Sequence, residues 1–483
     1  MAQLSADCLN EIFEYLEDDM ITLHSCLLVN RLWCEVSVRI SWRDVRNYRD
    51  SNFRTLIACL PNESKEILNK NGINNISAPT SKPPMFNYAA FCRILSISRV
   101  YYKLEQILKN QTPSTTSTLN LNDNIDILAQ EIFKLCMSQI GSLKKLDLWQ
   151  NPKIPFDLYP GAKDCLKNLS ELYFSSDISS ELFFQLSQIC HNILSLDISL
   201  EQVVSKGITD LISVQKNLKY LTISHFTDES LKDIIPSFTK PNNLNKLCLY
   251  GIRHYISLSF IAKFTNLQEL ELSFNYNEDF EDFEKLQFAI FPQLQILRIQ
   301  SMSSRFELLI KFLENNGKNL KEIYIGDNLG YSDNSLNLAI AKFCPNLRKL
   351  SVGFKNSELE TLKIIYESCQ YLESIKIWCG GEFLSEKEAL DTLAKYSHKN
   401  IYEIILYHQC NTQSKLSPEE LADFFISWTN REPQKSLSFV IVNCDEDSLD
   451  TNAENMKIIE KYRKLGVIKR FKVIDFDDDE FNF

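Results

Sequence analysis

The chain has 483 residues, of which 44% are hydrophobic and 24% are charged, and its net charge is −11. This composition is typical of a folded protein with enough apolar material for a large core, so it excludes a disordered chain. The acidic balance argues against a nucleic-acid-binding or anionic-membrane surface, because such surfaces bind through basic residues.

The N-terminal stretch has none of the features of a secretory leader. It carries Asp7, Glu11, Glu14 and Glu17 instead of a basic segment followed by an apolar one. No apolar run reaches the roughly 18 residues that span a bilayer. We therefore expect an intracellular protein, cytoplasmic or nuclear, whose 14 cysteines are reduced thiols. No two cysteines form a Cys-x-x-Cys pair, so we expect no metal and no cofactor.

The first predicted element is an amphipathic helix over residues 4–16. Its apolar residues, at helical spacing, are Leu9, Ile12, Phe13 and Leu16. Shorter apolar patterns follow at residues 23–27, 29–33 and 41–45. Three helices in so few residues cannot bury a full core of their own, so we expect a partner to cover part of their apolar surface.

These residues resemble the F-box family. The positions that match the family pattern in order and spacing are Leu4, Asp7, Glu11, Ile12, Leu16, Leu23, Val29, Trp33 and Trp42. Ser5 departs from the pattern, because the family prefers proline there, although serine is itself a good helix cap. The resemblance covers residues 1–45, and the alternative is a generic three-helix cap on a larger domain.

Residues 46–142 are predicted to contain connecting helices and the N-terminal cap of a following repeat array. Residues 92–97 have the composition of an early strand, and an apolar stripe through residues 101–108 predicts a helix after it. Pro79, Pro83 and Pro84 mark a break, and residues 110–118 are polar and are predicted to form a loop.

A short pattern, Leu-x-x-Leu-x-Leu with Ile, Val or Phe as substitutes, fills the rest of the chain. Eleven copies begin at Leu143, Leu169, Ile193, Leu218, Leu244, Leu267, Leu294, Leu320, Leu347, Leu372 and Ile401. Their mean interval of about 26 residues is typical of leucine-rich repeats. Two further copies are predicted at Leu437-Val440-Val442 and Ile468-Phe471-Val473.

The intervals between the copies have helical patterns. Ser180, Ser335 and Ser417 each begin an apolar stripe, and Gly466 is predicted to end the last helix. Each unit is thus a strand followed by a helix, and stacked units share one core. The predicted fold is an α/β repeat in which a three-helix F-box (1–45) precedes a curved leucine-rich-repeat solenoid (143–474), with parallel strands on the concave side and helices on the convex side. An acidic tail occupies residues 475–483.

Three cysteines lie at equivalent places in their units. Cys190, Cys344 and Cys369 each precede the first apolar residue of a unit by three positions. This placement resembles the cysteine-containing subclass of leucine-rich repeats that is often found behind F-boxes. We interpret these cysteines as small buried hydrophobes, the alternative being metal ligation or redox chemistry. An asparagine closes the strand pattern only at Asn151, Asn275 and Asn328, so the units are irregular.

No catalytic constellation is recognisable, so we do not expect an enzyme. The resemblance implies the substrate receptor of a Skp–cullin–F-box ubiquitin ligase, which directs proteins to degradation by binding a Skp-type adaptor and, through it, a cullin and a RING subunit. The residues that the resemblance assigns to the adaptor interface are Leu4, Ser5, Ile12, Leu16, Leu23, Val29 and Trp33. For Leu9 and Phe13 we favour packing inside the three-helix unit.

The substrate surface is predicted from strand geometry. Side chains alternate between the two faces of a strand, so the residues between the leucines line the concave side. The candidates are Trp149, Tyr173, Tyr220, Tyr250, Arg298, Tyr324, Trp378 and Tyr407. Trp, Tyr and Arg often dominate binding interfaces, although each of these side chains has the alternative of stacking on its neighbours. The competing function is a leucine-rich-repeat scaffold or inhibitor that acts outside ubiquitin ligation.

Overall fold

The chain divides into two compact units, Met1–Pro241 and Asn242–Phe483. The computed structural model describes residues 4–73, 76, 84–110, 118–149, 159–201, 204–225, 228–238, 243–252, 257–274, 281–301, 305–326, 330–409, 412, 414–431, 435–443 and 448–475. Several predicted features lie outside these residues: the tail beyond Asp475, most of the 110–118 loop, Pro79 and Pro83, and the strand-closing asparagines 151, 275 and 328.

The first unit begins with helices and continues with alternating helices and strands. Its helices are α1 (Ala6–Glu14), α2 (Met20–Cys26), α3 (Arg31–Ser41), α4 (Asp50–Ala58), α5 (Asn62–Lys70), α6 (Ile97–Lys109), α7 (Thr118–Gln139), α8 (Ala162–Leu166), α9 (Ser180–Ile189), α10 (Lys206–Ser213) and α11 (Asp228–Ile234). Its strands are β1 (Ile94–Ser96), β2 (Lys145–Leu148), β3 (Glu171–Ser175), β4 (Ser195–Ser199) and β5 (Tyr220–Ser224).

The predicted N-terminal helices are present as α1, α2 and α3. Each begins at a polar cap, because the side chains of Ser5, Asp19 and Asn30 accept hydrogen bonds from the first turns. The three helices pack around one small core, which consists of Leu9, Phe13, Leu23, Cys26, Val36 and Ile40. This core confirms the packing role favoured for Leu9 and Phe13.

The strands of the first unit pair in sequence order, and every pair is parallel. The early strand predicted at residues 92–97 is confirmed by β1, which pairs with β2 and is followed by the predicted helix as α6. One row of aligned residues on the face opposite the leucines runs through Ser96, Asp147, Tyr173, Asp197 and Thr222.

The second unit repeats the same arrangement over nine strands. They are β6 (Lys246–Ile252), β7 (Glu269–Phe274), β8 (Ile296–Gln300), β9 (Glu322–Ile325), β10 (Lys349–Ser351), β11 (Ser374–Cys379), β12 (Glu403–His408), β13 (Leu437–Asn443) and β14 (Ile468–Asp475). Its helices are α12 (Phe306–Asn316), α13 (Asn334–Phe343), α14 (Leu359–Ser368), α15 (Glu386–Tyr396), α16 (Pro418–Thr429) and α17 (Ala453–Lys464). Neighbouring strands are parallel and neighbouring helices pack on one another.

All eleven predicted repeat copies contribute a parallel strand, from β2 to β12. The leucines of the pattern are buried on the face that packs on the helices, here called the helix face, and the alternate residues lie on the opposite, open face. The return segments from β6 and from β7 depart from the prediction. They contain the 3₁₀ helices Leu258–Lys263 and Glu281–Lys285 instead of α-helices, and these still bury apolar residues such as Leu258 and Phe283.

The twelfth unit corrects the sequence prediction. The repeat pattern places Leu437, Val440 and Val442 on the helix face, but Phe439 and Ile441 align with Ile404 and Leu406 there. The Phe439 ring lies 5.9 Å from the ring of Phe425 on α16, which fixes its side of the sheet. All of the residues from Leu437 to Val442 are buried, so β13 is covered on both faces and its pattern does not reveal its orientation.

The predicted start of α16, the predicted end of α17 and the predicted burial of the three cysteines are confirmed. Ser417 and Glu420 form a capping box at the start of α16, and Gly466 follows α17 at a φ of +75°. Cys190, Cys344 and Cys369 are fully buried. The Cys190 and Cys369 thiols lie against the carbonyl oxygens of the preceding repeat, and burial raises the pKa of both to about 12.

Candidate interaction surfaces

The N-terminal three-helix unit exposes large apolar side chains on the side away from its core. Their exposed fractions run from 48% for Ile12 to 91% for Tyr15. Together these residues form the N-terminal apolar surface, which consists of Leu4, Ile12, Tyr15, Ile21, Leu28 and Val29. Several large apolar side chains left exposed on one small helical unit indicate a candidate protein-binding surface.

The residues that the F-box resemblance assigned to an adaptor interface are divided between this surface and the core. Leu4, Ile12 and Val29 belong to the surface, and exposed Ser5 caps α1 through a 3.3 Å bond from the Cys8 amide. Leu16 and Trp33 are half-buried against the core. The exposed residues outside the matched positions, Tyr15, Ile21 and Leu28, were missed, because nothing in the local sequence distinguishes them from core residues.

The assignment of Leu23 to the adaptor interface is wrong. Its side chain has no exposed area and lies in the core with Leu9 and Phe13. The reason is geometric: α2 is only seven residues long, so its two inward positions, Leu23 and Cys26, are both needed to close the core against α1 and α3.

The open face of the first unit combines exposed aromatic rings with carboxylates. Trp149 and Tyr220 are 43% and 44% exposed, and Tyr173 between them is half-buried. The Lys145 ammonium lies 4.0 Å from the centre of the Tyr173 ring and 3.5 Å from the Glu171 carboxylate. Lys145 is therefore already engaged on both sides.

Two carboxylates of this face differ in their surroundings. Asp147 accepts a 2.8 Å hydrogen bond from the Ser96 hydroxyl and a 3.2 Å bond from the Trp149 amide. The Asp197 carboxylate has no hydrogen bond and no ion pair within the described part of the chain. Burial raises the pKa of Asp197 to about 6, an effect that the charge of Lys145 only partly offsets.

The open face of the second unit, from β6 to β10, is a network of paired charges. Glu269 pairs with Lys246 at 3.0 Å and also with Arg298, whose guanidinium lies 4.7 Å above the Tyr324 ring. The Tyr324 hydroxyl donates to Glu322, and the Tyr250 hydroxyl donates to the fully buried Glu271. The predicted binding residues Tyr250, Arg298 and Tyr324 therefore all have partners within the sheet.

The prediction that Trp378 and Tyr407 form an accessible binding surface is wrong. They are 2% and 1% exposed, with ring centres 5.4 Å apart. Both belong to an apolar cluster on the open face, here called the open-face cluster, which contains Trp378, Phe383, Ile405, Tyr407, Val440 and Val442. Phe383 folds back over the sheet, and a Cβ added at Gly330 would lie 2.7 Å from the Trp378 indole, so backbone and side chains close over this ring.

The buried pair of His408 and Glu386, near this cluster, is not accessible to a ligand or substrate. His408 Nε2 lies 3.4 Å from Glu386 Oε1, and both side chains are almost fully buried. Burial raises the pKa of Glu386, but contacts with His408 and Ser414 outweigh it and lower that pKa below its ordinary value. On the adjacent strand, burial raises the pKa of Cys379 well above the usual range of a thiol. The Cys379 thiol is thus neither exposed nor ionised, and a nucleophile needs both.

The described ranges contain neither a candidate metal site nor a candidate membrane span. No group of three or more His, Cys, Asp or Glu side chains is placed to hold a metal ion there. No described helix combines the length and hydropathy required to cross a bilayer.

No protein-family model matches the chain, and no curated protein matches it in sequence. Among solved structures it is similar to the leucine-rich-repeat-containing protein LegL7 from Legionella pneumophila, with 16% identity over 60% of this chain and 97% of that chain and a TM-score of 0.39. It is also similar to a chain of the Rad7 and Elc1 complex in yeast, with 17% identity over 72% of this chain and 87% of that chain and a TM-score of 0.40. A leucine-rich-repeat protein of Leptospira interrogans has 16% identity over 80% of this chain and 96% of that chain, with a TM-score of 0.34.

Proposed function

We propose that this chain is the substrate-recognition subunit of a Skp–cullin–F-box-type ubiquitin ligase. In this proposal the N-terminal three-helix unit binds a Skp-type adaptor, and the open face of the repeats binds a protein substrate. The chain performs no covalent chemistry. It holds the substrate close to the ubiquitin-charged enzyme, so that transfer proceeds at a high effective concentration.

The observation that supports the adaptor end is the N-terminal apolar surface. Leu4, Ile12 and Val29 occupy positions that match the F-box pattern and are about half exposed or more. Leaving several large apolar side chains in water is unfavourable by about 25 cal/mol for each Å² of apolar area. A protein partner that covers them removes this cost, which is the basis of a stable docking site.

Co-purification of the chain with a Skp-type adaptor, a cullin and its RING subunit tests this proposal. We expect the wild-type chain to retain all three, and an Ile12→Asp, Val29→Asp variant to lose them, because both charges are placed on the exposed surface and not in the core. The matched control is Ile364→Asp on α14, where an apolar residue of similar exposure lies far along the sequence from the three helices.

Two outcomes would contradict the proposal. One is a correctly folded wild-type chain that retains no adaptor, which would favour a leucine-rich-repeat scaffold outside ubiquitin ligation. The other is equal loss of the adaptor in the control and the test variant.

A further inference from the structure

We propose that the open face of β2–β5 is a docking surface for an extended peptide segment rich in lysine and arginine. This surface is formed by Trp149, Tyr173, Tyr220, Asp147, Glu171 and Asp197, and is here called the acidic-aromatic face. This inference rests on the proposed function, in which the bound segment belongs to the substrate. It adds the chemistry of the segment that the receptor recognises.

The exposed rings are the first reason. Aromatic side chains are large and apolar, yet Trp149 and Tyr220 remain more than 40% exposed. The contrast with the second unit is direct, since Trp378 and Tyr407 occupy the same face of their strands and are completely covered. The chain thus covers the rings of β11 and β12 but leaves accessible the ring of Trp149, which directly follows β2, and that of Tyr220 on β5. Exposed Trp and Tyr bind cations over their ring faces, and guanidinium groups do so most often.

Charge complementarity is the second reason. Within the strand residues of β2–β5 there are three carboxylates, those of Asp147, Glu171 and Asp197, and one ammonium group, that of Lys145, so the formal charge of these four strands is −2. The neighbouring Arg46 does not change the balance, because it pairs with Asp44 at 2.6 Å. In the second unit, by contrast, the carboxylates of Glu269 and Glu322 have cationic partners in the sheet.

Asp197 is the carboxylate of this face that a basic side chain of the bound segment would pair with. Its carboxylate is half-buried between Tyr173 and Thr222 in the aligned row, and no described residue hydrogen-bonds to it or pairs with it. The charge of Lys145 only partly offsets the burial of this carboxylate, and a lysine or arginine from a bound segment would complete the compensation. Asp147 lies two strands away in the same row, with Tyr173 between the two carboxylates.

The spacing of the row fits an extended chain. Neighbouring strands lie about 4.8 Å apart, so Asp147 and Asp197 are separated by roughly 10 Å across the sheet. In an extended peptide, side chains on one face recur about every 6.6–7 Å. Two long basic side chains at alternate positions therefore reach both carboxylates, and a basic residue further along reaches the ring of Trp149 or Tyr220.

The test uses the full chain and two fluorescein-labelled 12-residue peptides, one alternating Lys and Ser and the other alternating Glu and Ser. Fluorescence anisotropy at about 0.15 M salt measures the dissociation constants, because weak long-range attraction is screened at that ionic strength. Two double variants are tested. The Asp147→Asn, Asp197→Asn variant removes two negative charges, and the Trp149→Ala, Tyr220→Ala variant removes two aromatic rings without changing the net charge. The control is Asp164→Asn, Glu181→Gln, which removes two exposed carboxylates from α8 and α9 and so matches the change in net charge.

We expect the lysine peptide to bind at least about tenfold more tightly than the glutamate peptide. The Asp147→Asn, Asp197→Asn variant should weaken that binding about tenfold, because it removes both carboxylate partners of the basic side chains. The aromatic variant should weaken it several-fold and the control less than twofold. Equal weakening in the control, or no preference for the lysine peptide, would overturn the inference. If the Asp147→Asn, Asp197→Asn variant does not fold, the aromatic variant alone decides, because its two side chains are exposed.

The failures of the two proposals are distinguishable. A chain that retains the adaptor but binds both peptides equally would overturn only the docking surface. A chain that binds the lysine peptide through Asp147 and Asp197 but never retains the adaptor would overturn only the ligase proposal.

Discussion

Asp197 is the residue at which stability and recognition conflict most clearly. Its sequence neighbours do not indicate this conflict, because an aspartate between Leu196 and Ile198 in a strand pattern predicts only a position on the open face. The missing partner depends on what the adjacent strands contribute, namely Tyr173 and Thr222, and that depends on the register of β3, β4 and β5.

Replacing Asp197 by asparagine is expected to stabilise the fold at pH 7. The folded-state pKa is raised to about 6 from an ordinary value of 3.8, so the folded chain binds a proton more tightly than the unfolded chain. Its stability contribution is therefore present below about pH 4 and is lost as the pH rises through 6. Because Asp197 is partly exposed, we expect Asp197→Asn to gain only about 1 kcal/mol at pH 7 and nothing at pH 4. Urea unfolding at the two pH values measures this difference, and an equal gain at both would contradict it.

Gly330 permits the close approach of the chain to Trp378. Its φ is +67°, and an added Cβ would lie 2.7 Å from the indole. We expect Gly330→Ala to cost about 2–4 kcal/mol, the sum of left-handed strain and overpacking. The control is Gly72→Ala, which has a similar φ of +73° but no atom within 4 Å of the added Cβ, and which should cost about 1 kcal/mol. Thermal unfolding compares the two, and equal losses would show that the contact with Trp378 has no cost.

At the scale of the elements, the sequence predicted where the strands lie. It did not predict which strand faces are buried under other parts of the chain. The repeat spacing located β2 to β12 because each buried leucine pattern has a period that only a strand satisfies. The orientation of β13 was not predictable, since the four consecutive apolar residues from Phe439 to Val442 fit either face and all six residues from Leu437 to Val442 are buried. The burial of Trp378 was also missed, because it depends on Phe383 and Gly330, which lie in connections and not in the strand itself.

The capping box of α16 offers a prediction at the scale of one element. The Ser417 hydroxyl accepts from the Glu420 amide, and the Glu420 carboxylate accepts from the Ser417 amide. We expect Ser417→Ala to lower the free energy of unfolding by about 1 kcal/mol. The control is Ser436→Ala, since that exposed serine lies before β13 and caps no helix, and its cost should stay below about 0.5 kcal/mol. Chemical denaturation measures both changes.

For the whole molecule, the sequence located two kinds of surface but could not separate their residues from the core. The N-terminal pattern identified Leu4, Ile12 and Val29, which are exposed, together with Leu23, which is buried, because a sequence match does not distinguish the two sides of a short helix. The repeat pattern placed Trp149, Tyr220, Trp378 and Tyr407 on one face, and only the three-dimensional packing divided them into accessible and covered pairs.

We propose that the N-terminal three-helix unit docks on a Skp-type adaptor through its exposed apolar residues. Isothermal titration calorimetry of the purified full chain with the purified adaptor measures it most directly. We predict a dissociation constant of about 1 μM or tighter, with a negative heat-capacity change because apolar surface is buried. The Ile12→Asp, Val29→Asp double variant should bind the adaptor at least about a hundredfold more weakly. The Ile364→Asp control should bind it as tightly as the wild type. No detectable heat from a folded wild-type chain at two well-separated temperatures, or equal affinity in the double variant, would contradict this proposal.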